Sequence, residues 1–122
     1  MPAVNPTKPF TLLTIAGTIY SLLFDFESVA KAEELLDRSL LTGLRQRDIN
    51  SPSITMVRAM LYACLRVHHP RLTFDEVKVL VDRKNIVGVW HKVLEAWTAG
   101  LAEPGEDPDA DEEEKNPLKS QN

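Results

Sequence analysis

Within residues 10–36, FTLLTIAGTIYSLLFDFESVAKAEELL, the spacing of apolar side chains changes from that of a strand to that of a helix. No single regular element accommodates both periods, so the chain has to turn on itself here, as a β-hairpin feeding a helix. Thr11, Leu12, Leu13, Thr14 and Ile15 are β-branched or apolar, and residues 18–24 are rich in β-formers again. Between them Ala16-Gly17 reads as a tight turn, Gly17 accepting positive φ at little steric cost. Beyond it Phe26, Val29, Ala30, Leu36 and Leu40 recur with a longer, helix-like period behind Asp25, a candidate N-cap. The expected first helix runs from Phe26 to Leu36 or a little beyond.

A chain of 122 residues with 43% apolar side chains suits one domain that needs neither disulfide nor metal to bury a core. Its apolar runs stop far short of the roughly twenty residues that span a bilayer. The opening MPAVNPTKPF has no charged segment followed by an apolar one, so a cytoplasmic protein is expected. A single cysteine, Cys64, excludes an internal disulfide, and its apolar helical setting makes it a small core residue.

Residues 1–9, with Pro2, Pro6 and Pro9, read as an extended arm, and residues 10–102 as the folded domain. Residues 103–122 carry eight acidic side chains against two lysines, a net −6, while the rest of the chain carries +2. With almost no large apolar residue and three prolines, this acidic tail is expected to be disordered.

Gly43 and the polar run 45–48 read either as a connection or as an extended or frayed helix. Ser51-Pro52 marks a second helix, Ser51 capping and Pro52 at the first position, with a stripe of Ile54, Val57, Leu61, Cys64, Leu65 and His68 ending at His69 before Pro70. Thr73 and Glu76 have capping-box spacing, flanked by Leu72 and Val77 as a staple, and Val77, Leu80 and Val81 supply the buried side of a short third helix. Asn85 is a candidate cap for a fourth, Ile86 to Leu101, whose broad face holds Val89, Trp90, Val93, Leu94 and Trp97. Gly88 inside it suggests a close helix contact. The fold class is mainly α (α+β): an N-terminal hairpin on about four helices.

Chemistry-bearing patterns are sparse. Cys64 and His68 share a helical spacing, but no CxxC or HxxxH supplies further ligands, so neither a metal nor another cofactor is expected; His68 and His69 read as cations at a helix C-terminus. The dispersed glycines form no phosphate loop, and no nucleophile motif is present, so no enzyme is expected. Arg66, Arg71, Lys78, Arg83, Lys84 and Lys92 lie near a helix pair that resembles a helix-turn-helix, yet +2 is a weak footprint for phosphate. Trp90 and Trp97 read as core anchors, or with Tyr20 as a partner-binding patch.

The ordered series Thr11-Leu12, Ile15-Ala16-Gly17, Tyr20-Ser21-Leu22, Phe24-Asp25-Phe26, Ser28-Val29-Ala30 and Ala32-Glu33-Glu34-Leu35-Leu36, followed by residues 61–65 and 70–77, resembles the tail assembly chaperones of long-tailed bacteriophages, including prophage and gene-transfer-agent relatives. The resemblance covers roughly residues 10–101. It implies a non-enzymatic protein of the bacterial host cytoplasm, absent from the mature virion. Such a protein binds the tape measure protein, helps recruit tail tube subunits and self-associates, without nucleic acid or membrane. Such chaperones are often made in two lengths by ribosomal frameshifting. Glu114-Lys115-Asn116 can be encoded through the slippery heptamer A-AAA-AAC, which makes it a candidate recoding position. A phage tail-completion or connector protein is the alternative, and a small helical DNA-binding regulator the third.

Overall fold

A computed structural model describes residues 10–101. The N-terminal arm, the acidic tail and the recoding position at Glu114, Lys115 and Asn116 lie outside the described residues. The order is β1 (Thr11–Ile15), β2 (Thr18–Leu22), α1 (Phe26–Leu36), α2 (Gln46–Asn50), α3 (Ile54–Leu65), α4 (Phe74–Leu80) and α5 (Ile86–Leu101). An N-terminal antiparallel hairpin therefore precedes five helices, the expected class with one short helix added.

In the hairpin Thr11 faces Leu22 and Ile15 faces Thr18, so the loop has two residues. Ala16 (φ 50°) and Gly17 (φ 83°) both take positive φ, the mirror-image turn whose twist matches that of the strands. Thr11, Leu13 and Ile15 point inward, Leu12 and Thr14 outward. β2 stops at Leu22, earlier than its composition suggests. Leu23 and Phe24 continue as buried irregular chain, with the Leu23 N–H donating to the Cys64 carbonyl at 2.8 Å. One residue pair upstream, the Ser21 N–H donates to His69 Nε2 at 3.0 Å. The outer edge of β2 is thus covered by the end of α3 and the turn after it, one way in which a sheet edge is protected.

α3 is the centre, packed against α1, α4, α5 and β2. Its N-cap is Ser53, whose Oγ accepts the Met56 N–H at 3.0 Å, rather than Ser51, and Pro52 precedes the helix instead of opening it. Burial extends beyond the expected stripe to Met56, Ala59, Met60 and Ala63, while Ile54 and His68 at its ends are exposed. The helix closes at Leu65 rather than at His69, whose N–H still bonds back to the Leu65 carbonyl at 2.8 Å.

α1 begins at the expected cap: Asp25 Oδ1 accepts the Ser28 N–H at 2.8 Å. Its buried face differs from the apolar spacing. Ser28 and Ala32 are fully buried and Val29 and Leu36 partly so, whereas Phe26 and Ala30 are exposed. Small side chains allow α1 to lie close to α3, and this close packing decides the face. The helix ends at left-handed Asp37 (φ 55°), and Leu40 reaches the core from the following loop, where Glu33 Oε2 accepts its N–H at 2.7 Å.

The undecided interval contains α2, a single turn with little propensity of its own. Asp48 holds it by an ion pair to Arg38 at 3.0 Å, and Trp90 Nε1–H donates to the Ile49 carbonyl at 3.0 Å. Burial acts to raise the Asp48 pKa, but hydrogen bonding and charge from Arg38 outweigh it, leaving the carboxyl below its usual range. At α4 the capping box is formed as expected: Thr73 Oγ1 accepts the Glu76 N–H at 3.1 Å and Glu76 Oε1 accepts the Thr73 N–H at 2.9 Å. Before α5, Asp82 Oδ1 accepts the N–H groups of Lys84 and Asn85, and Asn85 Oδ1 accepts that of Asp82, so the expected Asn85 cap is half of a reciprocal pair.

Gly88 is exposed, with nothing near the position of a Cβ, so the expected close contact is absent there. It occurs instead at Gly100, where a Cβ would collide with the Phe24 carbonyl oxygen.

Candidate docking surface

The side chains singled out for chemistry are mostly spent on the fold. Cys64 is completely buried and its thiol pKa is pushed far upward by desolvation, so it stays protonated at neutral pH. His69 does not act as a cation at a helix end: its Nε2 accepts from Ser21, Tyr20 stacks edge-on at 5.4 Å, and burial, then the neighbouring His68, lowers its pKa. Among the described residues no group of three or more His, Cys, Asp or Glu side chains is placed to hold a metal ion. None of their helices is long and apolar enough to cross a membrane.

Trp90 and Trp97 line the inner face of α5 and are 4% and 7% exposed. The Trp97 ring meets Phe24 edge-on at 5.2 Å, and Trp90 spends its N–H on Ile49. Tyr20 is half-buried against His69. The face from Trp90 to Trp97 is therefore covered, and most of what these rings could offer a partner is already used in holding α2 and the hairpin exit against α5. Of the cations near α4 and α5, Lys78 pairs with Asp75 at 3.4 Å and Lys92 with Glu95 at 3.4 Å.

The large apolar side chains that do reach solvent lie elsewhere. Phe26 is 80% and Leu41 82% exposed, and both line one cleft where the start of α1, the loop after it and the end of α5 converge. Phe24 and Trp97 form its buried floor, Val29 and Gly100 complete its walls, and Asp25 is the one charged residue lining it. Three local choices build the cleft. Asp25 caps α1 so that Phe26 stands at its first position and points out. Glu33 turns the chain back by holding the Leu40 N–H, which buries Leu40 and leaves Leu41 outside. Gly100 lets α5 press against the Phe24 backbone.

A second apolar strip, Leu12 and Ile19, lies on the outer face of the hairpin. A groove between β1 and α5, lined by residues that include Leu12, Lys84, Gly88 and Lys92, runs past Leu12.

Sequence reasoning offered Trp90, Trp97 and Tyr20 as a partner patch and missed Phe26 and Leu41. Phe26 was counted toward the core because it fits the helical period. The available signal was its place directly after a capping Asp, at the first helical position, where the side chain lies off the face that Ser28 and Ala32 bury. Leu41 follows Leu40 in the return of the chain, and the Glu33 bond that brings Leu40 inward leaves Leu41 outside.

Comparison of this chain with models of protein families, with curated proteins and with solved structures finds no match.

Proposed function

We propose that this chain is a non-enzymatic tail assembly chaperone of a long-tailed phage or prophage. It binds the tape measure protein in the host cytoplasm, keeps its apolar helices soluble and helps recruit tail tube subunits until polymerisation displaces it. The observation that carries this is the cleft between Phe26 and Leu41: two almost fully exposed large apolar side chains over an aromatic floor, on a domain whose own core is closed. Monomeric proteins keep such apolar surface small unless a partner covers it, and an amphipathic helix laid in an apolar groove is one recurring way of covering it. The resemblance of residues 10–36, 61–65 and 70–77 to tail assembly chaperones is what points to that partner. A longer form made by frameshifting would branch off at Glu114-Lys115-Asn116, beside the acidic tail.

The test is genetic and compositional. Deleting the gene is expected to stop tail assembly, while mass spectrometry of purified wild-type particles finds none of this chain. Its presence in stoichiometric amounts in purified particles would overturn the proposal in favour of a tail-completion or connector component.

A further inference from the structure

We infer that the unpaired edge of β1 takes up an extended, carboxylate-bearing peptide segment as a third strand, seated between β1 and α5 with its acidic side chains at Lys84 and Lys92. This surface is separate from the Phe26–Leu41 cleft, and the inference goes beyond the chaperone proposal without resting on it.

The hydrogen-bonding capacity follows from the register. A two-residue loop closes on a bonded pair, here Ile15 and Thr18, and bonded pairs alternate with unbonded ones along an antiparallel ladder. Leu13–Tyr20 and Thr11–Leu22 are therefore bonded, while Leu12–Ser21 and Thr14–Ile19 turn their backbone groups away from each other. On the β2 side the outward groups find partners: the Ser21 N–H reaches His69, and just past the strand the Leu23 N–H reaches the Cys64 carbonyl. On the β1 side nothing among the described residues bonds the N–H and C=O groups of Leu12 and Thr14. Such an edge is a template for one more strand.

Room and charge lie beside it. The groove along this edge has β1 as one wall and Lys84, Gly88, Val89 and Lys92 on the other. Nothing lies within 4 Å of the position of a Gly88 Cβ, so the middle of that wall is open to an incoming backbone. The two lysines are the charged residues lining the groove. Lys84 forms no ion pair among the described residues, and Lys92 has a solvent-exposed one with Glu95 at 3.4 Å. Carboxylates on an incoming strand meet opposite charge here, and cations meet like charge. A second copy fits less well: its own β1, TLLTI, has no carboxylate for these lysines, and symmetric edge pairing would bring the lysines of both copies to one seam.

The experiment is titration of the full chain with two nine-residue peptides, valine alternating with glutamate in one and with lysine in the other, followed by amide hydrogen exchange read by NMR. The glutamate peptide is expected to bind at least about tenfold more tightly, an advantage that shrinks as salt is added. The Leu12 and Thr14 amides, fast to exchange in the free chain, become protected when it binds. Of two glutamate peptides N-methylated on alternate amides, one loses binding and the other keeps it, because successive amides of a strand point to opposite edges. The double variant Lys84→Glu, Lys92→Glu reverses the preference between the peptides. Gly88→Leu fills the groove and removes binding, while its thermal midpoint stays at or above that of wild type. Equal binding of both peptides, or Leu12 and Thr14 amides that exchange as fast at saturation as in the free chain, overturns the inference. A dimer of the free chain by light scattering, dissociated by Gly88→Leu, gives the edge to a second copy and overturns it as well.

Discussion

Ala16 holds a φ of 50°, a left-handed conformation that costs a residue with a Cβ about 1 kcal/mol or more relative to asparagine or glycine. Ala16→Asn should therefore stabilise the protein by roughly 0.5–1 kcal/mol, readable as a rise of several degrees in the thermal midpoint. The two helical glycines of α5 make an opposed pair. Gly88 faces open space, so Gly88→Ala should gain up to about 1 kcal/mol of helix propensity. Gly100 abuts the Phe24 carbonyl, a backbone atom with little freedom to move, so Gly100→Ala should cost about 1–3 kcal/mol. Denaturant midpoints of the two variants shifting in the same direction would refute this account of α5. At α4, Thr73→Ala removes the oxygen that accepts the Glu76 N–H and should cost about 1 kcal/mol by the same measurement.

At the scale of elements, the attachment of the hairpin depends on a neutral histidine. His69 Nε2 can accept the Ser21 N–H only when it carries no proton, and its folded pKa lies below the ordinary 6.5 through burial and, second, the charge of His68. Between the folded value and 6.5 the unfolded chain binds more protons than the folded one, so stability rises with pH across that window and is lost as pH falls through it. Thermal melts of the wild type should fall on acidification below about pH 6.5, and His69→Phe should flatten that part of the slope. An unchanged slope in the variant would assign the acid sensitivity elsewhere.

Which elements were legible in the sequence follows from what holds them. The hairpin turn, the α4 capping box and the start of α5 are specified by residues within four positions of each other, and all three were readable. α2 was not, because it is fixed by Arg38 on one side and by Trp90, far along the chain, on the other. The α1 face was misread because periodicity registers apolar residues, whereas close packing on α3 favoured Ser28 and Ala32. Likewise the cleft joins Phe26 to Leu41 through a return of the chain that depends on the Glu33 bond to Leu40, and no local pattern announces it.

For the whole molecule, the core and the proposed docking surface fall on different residues. α3 and the inner face of α5 form the core, while Phe26 and Leu41 contribute little to it and stand together at one end. Substituting these two by serine should leave the melt within about 0.5 kcal/mol of wild type, as surface changes usually do, yet abolish association with an amphipathic helix. The measurement that bears most directly on the proposed function is co-expression of this chain with a long-tailed-phage tape measure protein, followed by copurification and light scattering. A soluble complex, containing a tape measure protein that is insoluble alone, is the predicted result. A tape measure protein that remains insoluble, with this chain purifying by itself, would contradict the account.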